Sequence, residues 1–229
     1  MKRTTVLVGD IHGEFHILYD DKLSGCDVYQ VGDFGLGFKG REAEDLDMER
    51  LNAFAVEQDI NYFVIRGNHD KPTFWTDAKE NARFNNKYSN ITLLPDYYSK
   101  EINNKRVLFI GGAVSVDRVR RISNVSWWEG ERVDSPRFCP SAHDVIISHT
   151  CPQFFSVVIN KKGGLIDILA RADDDLKRDL FEERQLMDNI LKIVRPSEWY
   201  FGHFHNSKSG CDEDVKWRCI DQNEKYELL

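Results

Sequence analysis

Short apolar runs recur along the chain at Thr4–Val8, Asp27–Val31, Asn61–Ile65, Lys105–Ile110, Asp144–Ser148 and Glu198–Phe201, and each gives way within two residues to Gly, Asp, His or Asn. Runs of this length predict strands buried in a sheet that end in polar loops. Between them the apolar positions take helical spacing. Leu176, Leu180, Met187, Ile190, Leu191 and Val194 fall along one face, and Pro196, which has no N–H to donate, stops that helix. A second helix is predicted through Leu46, Leu51, Phe54 and Ala55. Its first turns carry Glu42, Glu44, Asp45 and Asp47, which read as a solvated face where the helix macrodipole favours negative charge. Strands interleaved with helices predict an α/β layered fold. Beyond Gly210 the alternation of Val215, Trp217 and Cys219 with polar residues predicts a closing hairpin. No internal repeat or Pro/Gly/Ser-rich linker interrupts the chain, so one domain spanning residues 1–229 is expected.

Composition narrows the class. With 229 residues, 41% hydrophobic and 30% charged, the chain can bury a substantial core. A net charge of −7 argues against indiscriminate nucleic-acid binding through a global positive field, though not against a local basic patch. The apolar stretch behind Lys2 and Arg3 stops at Gly9 and Asp10, so no secretory leader is expected. Runs such as Val107–Ile110 fall far short of the roughly 20 residues of a membrane span, so no membrane association is expected. Cys26, Cys139, Cys151, Cys211 and Cys219 lack the close paired spacing of a structural zinc site and read as reduced thiols of a cytoplasmic protein.

The chemistry concentrates at strand ends. Asp10-Ile11-His12, Gly32-Asp33, Gly67-Asn68-His69-Asp70, Ser148-His149-Thr150 and Gly202-His203-Phe204-His205 each follow a predicted strand, and together they hold five of the seven histidines. General packing gives no reason for that concentration. Imidazole and carboxylate suit Zn²⁺, Mn²⁺ and Fe, and an amide oxygen such as that of Asn68 can complete a hard site. A carboxylate can bridge two cations roughly 3.5–4 Å apart, the arrangement that activates water and neutralises charge on a phosphoryl group. His16 and His143 lie outside these junctions and read as structural, and Asp70 reads as a carboxylate that stabilises its own turn.

These five blocks, in this order over residues 9 to 205, resemble the signature of calcineurin-like metallophosphoesterases. The resemblance implies a four-layer α-β-β-α sandwich, with two mixed sheets face to face, helices outside and metals at the strand ends. It implies one ion held by Asp10, His12 and His205, a second held by Asn68, His149 and His203, and Asp33 bridging them. His69 matches the family's histidine that contacts phosphate and protonates the leaving oxygen. The implied reaction is hydrolysis of a phosphate ester by a hydroxide held between two divalent ions, Mn²⁺ first, with Fe or Zn²⁺ as alternatives.

Protein Ser/Thr phosphatases of the family continue the second block as Gly-Asp-x-x-Asp-Arg-Gly, whereas Leu36 and Gly37 stand at the acid and arginine positions here. The phosphate therefore needs another donor. The segment Gly111-Gly112-Ala113-Val114-Ser115-Val116-Asp117-Arg118-Val119-Arg120-Arg121, followed by Trp127-Trp128-Glu129, resembles a stretch found in a phage-borne and bacterial branch of the family. Its strand should end on the metal rim, which makes Arg118 and Arg121 the candidate substrate-binding residues, since guanidinium offers phosphate a charged bidentate fork. Lys39 and Arg41 are the next candidates. Otherwise the tryptophans pack the core and the arginines pair with Glu129 and Glu131. The expected partner is a phosphorylated small molecule, nucleotide or phosphoprotein. The rival readings are a nuclease or cyclic-nucleotide phosphodiesterase in which Trp127 or Trp128 stacks on a base, and a scaffold that has kept the fold without the chemistry.

Overall fold

The computed structural model describes residues 3–136, 142–157, 164–212 and 214–228; Lys2 and Cys139 lie outside them. Strands β1 (Thr5–Val8), β2 (Asp27–Gln30), β3 (Asn61–Val64) and β4 (Ile91–Leu93) are joined by β11 (Lys225–Leu228) in one sheet of order β11-β1-β2-β3-β4. Strands β5 (Tyr98–Ile102), β6 (Lys105–Ile110), β7 (Val145–Ser148), β8 (Glu198–Phe201), β9 (Lys208–Asp212) and β10 (Val215–Cys219) form the other, in order β5-β6-β7-β8-β10-β9. Both sheets are mixed. At the centre of each lies a parallel triplet, β1-β2-β3 in one and β6-β7-β8 in the other. Parallel neighbours in register end together, so each triplet delivers three loops to one edge.

The alternation of side chains builds the layers. Val6, Val8, Val28, Tyr62 and Val64 face one cluster shared with Met48, Leu51 and Ala55 of α1 (Arg41–Glu57) and Phe84 of α3 (Ala78–Lys87). Leu108, Ile110, Ile146, Trp199 and Phe201 face another, shared with Met187, Ile190, Leu191 and Val194 of α5 (Leu176–Val194). The opposite faces, Leu7 and Tyr29 from one sheet and Val107, Phe109, Val145 and Ile147 from the other, meet between the sheets. The result is the expected four-layer α-β-β-α arrangement. Two short helices complete the set, α2 (Thr73–Thr76) and α4 (Leu165–Leu169). Among the described residues no helix is long and apolar enough to cross a membrane.

The six strands expected from the apolar runs are present to within one residue, and Arg195, with φ +52°, ends α5 just before Pro196. The closing hairpin is β9-β10, which starts at Lys208 rather than beyond Gly210. Strands β4, β5 and β11 carry no comparable apolar run: β4 has three residues, while β5 and β11 are edge strands with two apolar residues each. The acidic start of α1 needs one correction. Glu44 is buried and accepts N–H bonds from Gly37 (2.6 Å) and Lys39 (3.1 Å), tying the loop after β2 to the helix, while Asp45 and Asp47 are half-buried and Glu42 is exposed. Of the described cysteines Cys26, Cys151 and Cys219 are buried, Cys211 is exposed, and all are free thiols.

Candidate metal centre

Asp10 and His12 follow β1, Asp33 follows β2, Asn68 and His69 follow β3, His149 follows β7, and His203 and His205 follow β8. The facing edges of the two triplets bring them together. Ligand atoms of Asp10, His12, Asp33 and His205 lie within 4.8 Å of one another, and so do those of Asp33, His149 and His203. Asn68 joins the second group through Oδ1, 3.0 Å from His149 Nε2. Asp33 belongs to both.

The backbone is bent to achieve this. His12 (φ +47°), Asp33 (φ +54°), His203 (φ +68°) and His205 (φ +45°) all take left-handed conformations, which cost an L-residue roughly 1–2 kcal/mol each and persist where surrounding contacts impose them. Those contacts are visible. The N–H groups of Ile11 and His12 donate to the Asp33 carbonyl, that of His203 donates to the Asp10 carboxylate, and that of His69 donates to Asp33 Oδ1 at 2.7 Å. Gly67 passes so close to Asp33 that a Cβ there would sit 2.1 Å from its Oδ1, which no side chain permits. Asp70 is buried and accepts from the backbone N–H groups of Phe34, Gly35, Leu36 and Gly67, holding the loops after β2 and β3 as one unit.

The electrostatics favour positive charge. Burial alone would push the His149 imidazole down, yet the carboxylates of Asp33 and Asp10 raise it to about 10. Burial opposes ionisation of Asp33, and the imidazoles of His149, His69 and His12 nonetheless hold its carboxyl well below the ordinary range. His149 Nδ1 is 2.9 Å from the Val31 carbonyl, so the ring donates there and aims Nε2 at the centre. Imidazole, carboxylate and amide oxygen in two clusters joined by one carboxylate form a donor set suited to two divalent cations.

Around the centre the remaining candidates divide. Arg121 reaches it: its guanidinium lies 2.5 Å from His69 Nε2 and 2.6 Å from Asp117. Arg118 is engaged elsewhere, with Asp173 (2.5 Å) and with Asp179 of α5 (2.7 Å). Neither arginine takes the alternative pairing with Glu129 or Glu131. Lys39 pairs with Asp47 and Arg41 with Glu80. Trp128 is buried, its ring set edge-on against Phe38 at 5.0 Å, and Phe38 in turn stacks on His69 at 6.0 Å. His143 is buried with Nε2 2.8 Å from Ser99 Oγ, and His16 is exposed on a 3₁₀ turn. Burial holds His69 down near 4, with Arg121 and His12 acting in the same direction against the pull of Asp33.

Two contacts are not legible in the sequence. Arg66 is fully buried and spends its donors on Asp96 and on the carbonyls of Gly130, Glu131 and Arg132. Gly112 makes room for it: a Cβ there would lie 2.6 Å from the guanidinium, so the paired glycines serve this close approach as well as the turn. Ser115 Oγ meets Asn68 Nδ2 at 2.9 Å and Glu131 Oε2 at 2.6 Å. The Gly-Gly-Ala-Val-Ser pattern was the one signal pointing to that segment.

Comparison with known proteins agrees with this geometry. A sequence profile described as calcineurin-like phosphoesterase matches residues 3–207. Among solved structures, TT1561 of Thermus thermophilus superimposes with a TM-score of 0.53 at 12% identity, covering 97% of this chain and 91% of that one. A candidate 5′-nucleotidase from Staphylococcus aureus, solved with α-ketoglutarate, gives the same TM-score at 12% identity, with 99% of this chain matching 50% of that longer chain. Both are likenesses of fold. No curated protein sequence matches the chain significantly.

Proposed function

The chain belongs to the calcineurin-like phosphoesterase family, and from that premise we propose that it hydrolyses a phosphate ester at a centre of two divalent cations, with Mn²⁺ first and Fe or Zn²⁺ as alternatives. The observation that carries this reading is the pair of ligand clusters sharing Asp33. Asp10, His12 and His205 would hold the outer ion, Asn68, His149 and His203 the inner one, and Asp33 would bridge. Bound ions of this kind bring the pKa of water down towards roughly 7 and offset charge on the phosphoryl oxygens.

The chain's own groups do the rest. Arg121, beside His69 on the rim, would donate to a non-bridging phosphate oxygen. His69 would protonate the leaving oxygen through Nε2. Without substrate that atom accepts from Arg121, so the ring is neutral and its proton sits on Nδ1. An ester that draws the guanidinium onto its phosphate removes a positive neighbour from His69 and adds a negative one, and both changes favour the imidazolium. Arg118 would act indirectly, by fastening the loop that carries Arg121 to Asp173 and to α5.

The test is a panel of phosphomonoesters, phosphodiesters, nucleotides and phosphopeptides assayed with each metal, alongside elemental analysis. Turnover that requires metal, is lost on chelation and is abolished in Asp33→Asn is expected. Comparing an aryl monoester with a bis-aryl diester assigns the ester class. A protein that binds two ions and turns over no member of the panel would overturn the reading.

A further inference from the structure

An amide ligand has a problem that imidazole and carboxylate ligands lack. Rotating the Asn68 side chain by half a turn exchanges its oxygen for an NH₂ group of nearly the same shape, and the second orientation presents donor hydrogens to a cation. Something must decide between the two. His149 Nε2, on the centre side of Asn68, cannot, because it is a donor when protonated and an acceptor when neutral.

We propose that Ser115 and Glu131 are positioning residues that lock Asn68 with its oxygen towards the inner ion. Asn68 is 3%, Ser115 0% and Glu131 1% exposed, so no solvent competes for their groups. Glu131 Oε1 accepts the Ser115 backbone N–H at 2.7 Å, which anchors the carboxylate against this residue. Its Oε2 accepts from Ser115 Oγ at 2.6 Å, which commits the hydroxyl hydrogen. The hydroxyl then has only lone pairs left for Asn68, and at 2.9 Å it can pair with Nδ2 but not with Oδ1. The polarity of one buried carboxylate is thus relayed through a hydroxyl to the orientation of an amide. Buried partners that orient metal ligands typically change metal affinity by 10–100-fold when removed. The inference rests on the reading of Asn68 as a ligand of the inner ion.

The experiment titrates Mn²⁺ into Ser115→Ala, Ser115→Thr, Glu131→Gln and Asn68→Ala, following bound metal by equilibrium dialysis and spin coupling between the two ions by electron paramagnetic resonance. Thermal melting in parallel establishes that each variant is folded. In Ser115→Ala one of the two ions should bind roughly 10–100-fold more weakly, with an uncoupled Mn²⁺ signal at concentrations where wild type shows a coupled pair. Glu131→Gln keeps the shape but offers a donor where an acceptor is needed, so it should show the same one-ion defect. Ser115→Thr keeps the hydroxyl and should restore the coupled signal. Normal binding of both ions in folded Ser115→Ala, or equal weakening of both, would overturn the inference provided Asn68→Ala loses one ion. If Asn68→Ala also binds both ions normally, it is the assignment of Asn68 as a ligand that fails.

Discussion

The outer group of candidate ligands opens to solvent, with the side chains of His12 and His205 20% and 44% exposed, while the inner group is more closed, with His149 at 0%, Asn68 at 3% and His203 half-buried. Their supports differ accordingly. His205 is steadied by Asp10 and His12, each 3.1 Å away and each itself a candidate ligand, whereas His149 is aimed by the Val31 carbonyl and Asn68 is held by Ser115, neither of which faces the cations. Where water can reach, a missing ligand can be replaced. Where it cannot, the protein must set both the identity and the orientation of every donor. The closed half therefore needs supporting residues that the open half does without.

The largest effect expected is at the residue common to both halves. Asp33→Asn should abolish turnover and bring metal content down from about two ions per chain towards none, because one carboxylate offsets the mutual repulsion of two cations. Elemental analysis that still finds two ions in this variant removes the shared role and with it the comparison.

Next come the two halves separately. His149→Ala should weaken one ion by more than roughly 100-fold, beyond what loss of a mere supporting partner costs. His205→Ala should weaken the other by less, since water can take the vacated position. Dialysis isotherms showing equal losses would mean that exposure does not separate the halves.

The third effect lies at the rim. His69→Ala should keep both ions and lower kcat by roughly 10²–10⁴-fold on an ester with a poor leaving group, and by much less with nitrophenolate, which departs without a proton. Equal defects on the two substrates would confine His69 to binding phosphate.

Arg121→Ala should reduce kcat/KM by roughly 10–150-fold with both ions retained, the value of one charge-assisted contact. Arg118→Ala should mainly lower the melting temperature. Reversed outcomes would exchange the assignments of the two arginines.

The smallest effect is a change in titration. Removing the Arg121 guanidinium takes a positive charge away from His69 and exposes the ring, and both changes make the imidazolium cheaper. The His69 pKa should therefore rise from about 4 towards its ordinary value, read by NMR of the ring protons in chelator-treated Arg121→Ala. An unmoved titration would show that burial beneath Phe38 alone keeps the ring neutral.

What could be read along the chain was whatever repeats a local rule. The six central strands show as apolar runs because both their faces are covered, and the candidate ligands show because each follows its strand within a few residues. The edge strands β5 and β11 escaped because each has a neighbour on one side only and carries only two apolar residues. Glu44 escaped for the opposite reason. An acid in the first turn of a helix looks solvated until the segment just before that helix folds back and donates N–H bonds to it.

The sequence by itself determined the layered α/β class, the positions of the central strands and the set of metal-capable side chains, because strand burial and strand-end chemistry are written at short range. Only the tertiary structure decided that Arg121 and not Arg118 meets His69, that the paired glycines admit Arg66, and that Ser115 and Glu131 stand behind Asn68. Each of these is a contact between segments about fifty residues apart or more, or depends on a loop folding back over such a contact. Arg118 and Arg121 are three positions apart in one loop, equally charged and equally able to bind phosphate. What separates them is the direction in which a short 3₁₀ turn points each side chain, one towards Asp173 and Asp179 and the other towards the centre.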